Sequence, residues 1–80
     1  MNIPRWLHTG RPVRLNRSEN ITSASQRARA EQLLIHPQRV GRVGEVYFEP
    51  ATQQWHARVY WQVQGEWYAV NLPVTDFCEA

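Results

Sequence analysis

The sequence predicts a mostly β domain with one short helix, and three observations carry that expectation. Residues 54–64, read QWHARVYWQVQ, alternate strictly: Trp55, Ala57, Val59, Trp61 and Val63 fall on one face, and His56, Arg58, Tyr60 and Gln62 on the other. That is the period-two signature of a strand with one buried face. Apart from Trp6, every aromatic residue lies between Tyr47 and Phe77, so the second half is expected to build most of the core. Only residues 24–35 concentrate good helix formers. A chain of 80 residues is expected to make one domain, which at this size buries only roughly 60–65% of its unfolded surface and so needs large side chains inside.

Taken in order, residues 1–11 show no period and form an N-terminal arm, with Trp6 and Leu7 expected to tether it to the core. Residues 12–16 read as a short strand with Val13 and Leu15 inward and Arg14 outward; a proline is tolerated at a strand's first residue. Ser23 and Gln26 fit a capping box, and the helix expected over Ala24 to Ile35 stops before Pro37, because a residue preceding proline disfavours helical geometry. Ala30, Leu33 and Leu34 then face the core and Arg27, Arg29 and Glu31 the solvent.

From Arg39, two glycines three residues apart, Gly41 and Gly44, predict a turn followed by a bent strand. Residues 49–54 read as a loop, the strong strand follows, and Gly65 marks the next turn. Residues 67–72 alternate again, with Tyr68, Val70 and Leu72 on one side and Trp67, Ala69 and Asn71 on the other. Both sides are partly apolar, so the pattern alone leaves open which is buried. Pro73 ends this strand, residues 74–77 suit a single helical turn, and Phe77 is placed to plug one end of the core.

A short strand at Pro12-Val13-Arg14-Leu15, a glycine-bearing second strand at residues 39–46, a third at 55–63, a fourth at 68–72 and a closing turn at 73–77 together resemble the SH3-like small barrels, including the KOW group. The resemblance covers roughly residues 12–80. It implies a single SH3-like antiparallel barrel over residues 1–80, with a helical insertion at 17–38 between its first and second strands. It also implies a binding module, since such barrels serve as peptide adaptors, nucleic-acid modules, subunits of assemblies and small proteins of phages and plasmids; the fold leaves the partner open.

Charge and reactive residues narrow the chemistry. All nine basic residues are arginine, a bias expected of a GC-rich coding genome, although the guanidinium fork also suits phosphate and carboxylate recognition. Residues 1–42 hold eight arginines and two acids, +6, while residues 43–80 hold one arginine and five acids, −4, for a total of +2. The halves are therefore expected to pair with each other in the fold, or to leave a basic face for an anionic partner. His8, His36 and His56 are scattered and Cys78 is the single cysteine, so no metal site, no cofactor and no disulfide is expected. No nucleophile elbow or phosphate loop is present, and the expectation is a protein that is not an enzyme. With no apolar run near the roughly 20 residues of a membrane span and no secretory pattern, a cytoplasmic location is expected.

Two sets of residues are candidates for binding. His56, Arg58, Tyr60, Trp67 and Arg42 are expected to meet a protein partner, as Trp, Tyr and Arg are enriched at interfaces. That makes the first expectation a protein-binding accessory or regulatory subunit, a class that includes small proteins of phages and mobile elements. The alternative is a nucleic-acid module in which Arg27, Arg29, Arg39, Arg42 and Arg58 form a phosphate track and Tyr60 stacks a base. A self-assembling subunit, with second copies covering exposed strand edges, is the third.

Overall fold

A computed structural model describes residues 3–22 and 32–80. Among the described residues seven strands form in chain order: β1 (Pro12–Leu15), β2 (Glu19–Thr22), β3 (Gln32–Ile35), β4 (Gly41–Glu49), β5 (Gln54–Val63), β6 (Glu66–Pro73) and β7 (Phe77–Glu79), with a 3-10 turn at Val74–Asp76. Five of them make one antiparallel sheet in the order β6-β5-β4-β1-β7, and β2 pairs with β3 in a second, two-stranded sheet. The fold is thus mostly β, as the alternation implied.

The strong alternation becomes β5, the middle of the sheet's longest part. Ala57, Val59 and Trp61 are buried, and Trp55 and Val63 pack half-buried against the same core. The ladder with β6 pairs Val59 with Val70 and Trp61 with Tyr68, which settles the ambiguity of that strand: Tyr68 is buried, whereas Trp67 stays exposed. Gln64 and Gly65 both have positive φ, as a two-residue hairpin turn matched to the right-handed twist of its strands requires.

The bend expected at the paired glycines is a β-bulge. Pairing runs Val43 to Val59 and then Glu45 to Arg58, leaving Gly44 as the extra residue. A bulge shifts side-chain parity, so Val43 before it and Val46 after it both face inward, while Glu45 and Tyr47 turn out beside Arg58 and His56.

Two expectations about the fold are corrected. No helical insertion forms among the described residues: Gln32–Ile35, taken as the end of a helix, is β3, paired with β2 through Ile21–Leu33 and Asn20–Leu34. Residues 23–31, which hold the capping box and most of the expected helix, lie outside the described residues. Three consecutive apolar residues satisfy either period, and the pairing with β2 decides it. Ile35 is buried and Leu33 half-buried on one side, at the cost of leaving Leu34 46% exposed on the other. A helix would have buried both leucines. The second correction concerns closure, because the sheet is open: β6 and β7 are its two edges and share no ladder. The β2–β3 hairpin covers the core instead, inserting Ile21 and Ile35 and packing β2 near β6.

Residues 6–11 and 77–79 are both fastened to the sheet. Leu7 is buried and Trp6 half-buried against the core, and the arm extends the sheet through Gly10 N–H to the Val43 carbonyl (2.8 Å) and Val43 N–H to the Arg11 carbonyl (3.0 Å). After the 3-10 turn, β7 pairs with β1 and buries Phe77. The Asn16 side-chain amide donates to the Thr75 carbonyl at 2.7 Å. Arg11–Glu79 (3.4 Å) and Arg17–Asp76 (3.9 Å) join the basic half to the acidic half, each exposed enough to contribute less than about 1 kcal/mol.

Candidate interaction face

The polar side of β5, with its neighbours on β4 and β6, forms one outward sheet face. All five residues expected to meet a protein partner stand on it. Arg42 lies opposite Tyr60 in the β4–β5 ladder, and Tyr60 lies opposite Ala69 in the next. One row away Arg58 sits between Glu45 and Asn71, and beyond it His56 sits between Tyr47 and Pro73. Trp67 lies opposite Gln62 and is 48% exposed.

These side chains touch one another. The Arg58 Nε donates to the Tyr60 hydroxyl at 2.7 Å, and the guanidinium carbon is 5.5 Å from the Tyr60 ring centroid, within reach of the ring quadrupole. Tyr60 meets Trp67 edge to face, with centroids 6.4 Å apart and planes at 85°. His56 stacks on Tyr47 at 5.8 Å. Arg42 is tied down by donating from Nη1 to the Gly10 carbonyl at 3.2 Å. The strands that hold these groups are the three longest among the described residues, and the face they form is aromatic in character.

Gly44 is the residue that residue-type reasoning did not assign to the site. The Tyr60 ring lies directly over it, and a Cβ there would overlap ring atoms Cε2 and Cδ2. Arg58, Tyr60, Gly44 and Glu45 line a shallow, open depression. The signal was present in the sequence as two glycines three apart and two adjacent aromatics, Tyr60 and Trp61. Gly41 is to Trp61 on the inner face what Gly44 is to Tyr60 on the outer one.

The arginine track expected for nucleic acid is only partly assembled. Arg42 and Arg58 share the outward face, but Glu45 stands opposite Arg58. Arg39 sits in the turn before β4, where its N–H donates to the His36 carbonyl and its own carbonyl accepts the Trp61 indole N–H at 3.1 Å. Arg27 and Arg29 lie outside the described residues.

The reactive groups are dispersed. His8, His36 and His56 contact the Thr9 carbonyl, the Ser18 hydroxyl and the Gln54 carbonyl respectively, and Cys78 is half-buried opposite Arg14 on β1. Among the described residues no three His, Cys, Asp or Glu side chains gather as a metal would require, and no helix is long and apolar enough to cross a membrane. Compared with known proteins, this small antiparallel-sheet domain matches no family model, no curated protein and no solved structure.

Proposed function

We propose that this chain is a non-catalytic, SH3-like binding module acting in the cytoplasm, an accessory or regulatory subunit that docks a partner protein on the outward face of β4, β5 and β6. The observation that carries the reading is the cluster on adjacent strands in which Tyr60 contacts both Arg58 and exposed Trp67. Trp, Tyr and Arg are the side chains most often found to dominate protein interfaces when truncated. The SH3-like assignment is supported by the strand order β6-β5-β4-β1-β7, by the long excursion between β1 and β4 and by the 3-10 turn before the last strand.

A nucleic-acid module remains the second reading, favoured by Arg42 and Arg58 flanking Tyr60 on one face. Capture from a nuclease-treated lysate of the source organism separates the two. A specific protein retained by the wild-type chain and lost with the double variant Trp67→Ser/Arg58→Gln, at matched folding, supports docking on this face. Capture unchanged in the double variant, or abolished by nuclease, overturns it. A second copy of the chain as the retained species, seen as a mass that doubles with concentration in light scattering, converts the partner into a self-assembly contact.

A further inference from the structure

Arg58 is held more tightly than recognition by a generic surface arginine needs. Its Nε is committed to the Tyr60 hydroxyl at 2.7 Å, and the Tyr60 ring is in turn seated on the backbone of Gly44. These two contacts in series orient the guanidinium. The neighbour that an arginine on a sheet ordinarily pairs with is Glu45, directly opposite in the ladder. Among the described residues Arg58 and Glu45 nonetheless form no ion pair. Arg58 lines the same depression as Gly44, Glu45 and Tyr60, and its one hydrogen bond among the described residues uses Nε rather than a terminal nitrogen.

We infer that this depression is a carboxylate-binding site that takes a single acidic side chain from an extended segment of the partner protein, an inference that rests on the protein-docking reading above. A guanidinium whose Nε is already occupied still offers its two terminal nitrogens, and these match the two oxygens of a carboxylate in a bidentate pair. The bound acid sits beside Tyr60 and the exposed Trp67, which supply apolar area for its methylenes and its neighbours. Glu45 sets the selectivity. Its carboxylate on the other wall accepts a hydrogen bond from an amide next to the bound acid and repels a second negative charge there. The favoured ligand is an isolated Asp or Glu flanked by neutral amide-bearing residues. A phosphodiester chain, which repeats its charge at every nucleotide, meets Glu45 wherever it crosses the site.

The test is a heteronuclear NMR titration of the full chain with three probes: a short blocked peptide holding one glutamate among serine and asparagine, the same peptide with glutamine in its place, and oligo(dT). The glutamate peptide is expected to give saturable shifts at the Arg58 Nε–H, the Gly44 N–H and the Trp67 indole N–H. Replacing its glutamate with glutamine, or Arg58→Lys in the protein, is expected to weaken binding roughly tenfold or more, the worth of a charge-assisted pair. Tyr60→Phe keeps the ring on Gly44 but releases Nε, and is expected to weaken the glutamate peptide severalfold while leaving the glutamine peptide unchanged, which a merely structural tyrosine would not do. Equal titration by the two peptides, or an unchanged affinity in Arg58→Lys, overturns the carboxylate site while leaving protein docking at Trp67 intact. Saturation by oligo(dT) alone overturns both. Silence towards all three probes, with lysate capture still dependent on Trp67, overturns the carboxylate site only.

Discussion

The two faces of β5 use the same device to opposite ends. On the inner face Trp61 lies against Gly41, where a Cβ would come within 2.6 Å of its Cε2, and its indole N–H is satisfied by the Arg39 carbonyl at 3.1 Å. On the outer face the adjacent residue, Tyr60, lies against Gly44, and its hydroxyl accepts from Arg58. Each pairing seats a flat aromatic on bare backbone of the neighbouring strand, a way of restoring packing that glycine otherwise forfeits in a sheet. Burial separates them: Trp61 is 2% exposed, whereas Tyr60 keeps one side open to solvent beside exposed Trp67. The inner pair serves stability, and the outer pair presents a preorganised surface to solvent.

The sharpest way to break this comparison is to truncate the inner aromatic. Trp61→Ala removes the largest fully buried side chain and strands the Arg39 carbonyl. A loss of about 3–5 kcal/mol is expected, seen in thermal melts as a fall in Tm of more than about 10 °C. An unchanged melt would mean that the two faces are reversed.

The glycines test the comparison next. Gly41→Ala drives a Cβ into a buried indole and the Val59 side chain, neither of which has room to move, and about 1–3 kcal/mol of overpacking cost is expected. Gly44→Ala overlaps the half-buried Tyr60 ring, with the Arg58 carbonyl next at 3.5 Å, and the overlap is relieved by pushing that ring off its seat towards its solvent side. Its expected cost in a denaturant melt is below about 1 kcal/mol, but the displaced ring loses its bond to Arg58, so binding at the outer face suffers more than stability. Equal costs for the two alanines would show that Tyr60 is as confined as Trp61.

What the residues alone disclosed follows from how local each feature is. The faces of β5 were legible because eleven residues alternate without interruption, and with them the shared outward placing of His56, Arg58 and Tyr60, since strand periodicity fixes which side chains point together; that Arg42 and Trp67 join them is set by the ladders with β4 and β6. Features set by pairing between distant segments were not legible. Residues 32–35 satisfy a helix until β2 is placed beside them, and β7 is three residues whose ladder partner is β1, more than sixty positions earlier. The Arg58 to Tyr60 bond was implicit in their i, i+2 spacing. The seat on Gly44 was not, because a bulge shifts the register by one residue and only the ladder reveals which glycine takes the ring.

The smallest expected effect is also the one on which the outer face depends. Trp67 pairs in register with Gln62, one step along from the Trp61–Tyr68 pair, so the two tryptophans differ chiefly in the face they occupy. Among the described residues its aromatic contact is with Tyr60, at 6.4 Å and edge to face, worth roughly 0.5–1.5 kcal/mol at most. Being 48% exposed, it has little further burial to lose, and exposing a serine there also relieves an apolar surface. Trp67→Ser is expected to change stability by less than about 1 kcal/mol in urea melts with an unaltered m-value, while removing partner capture. If it instead costs as much as Trp61→Ala, the outward tryptophan is holding the fold together, and the difference between the two faces of β5 is no longer one between core and docking surface.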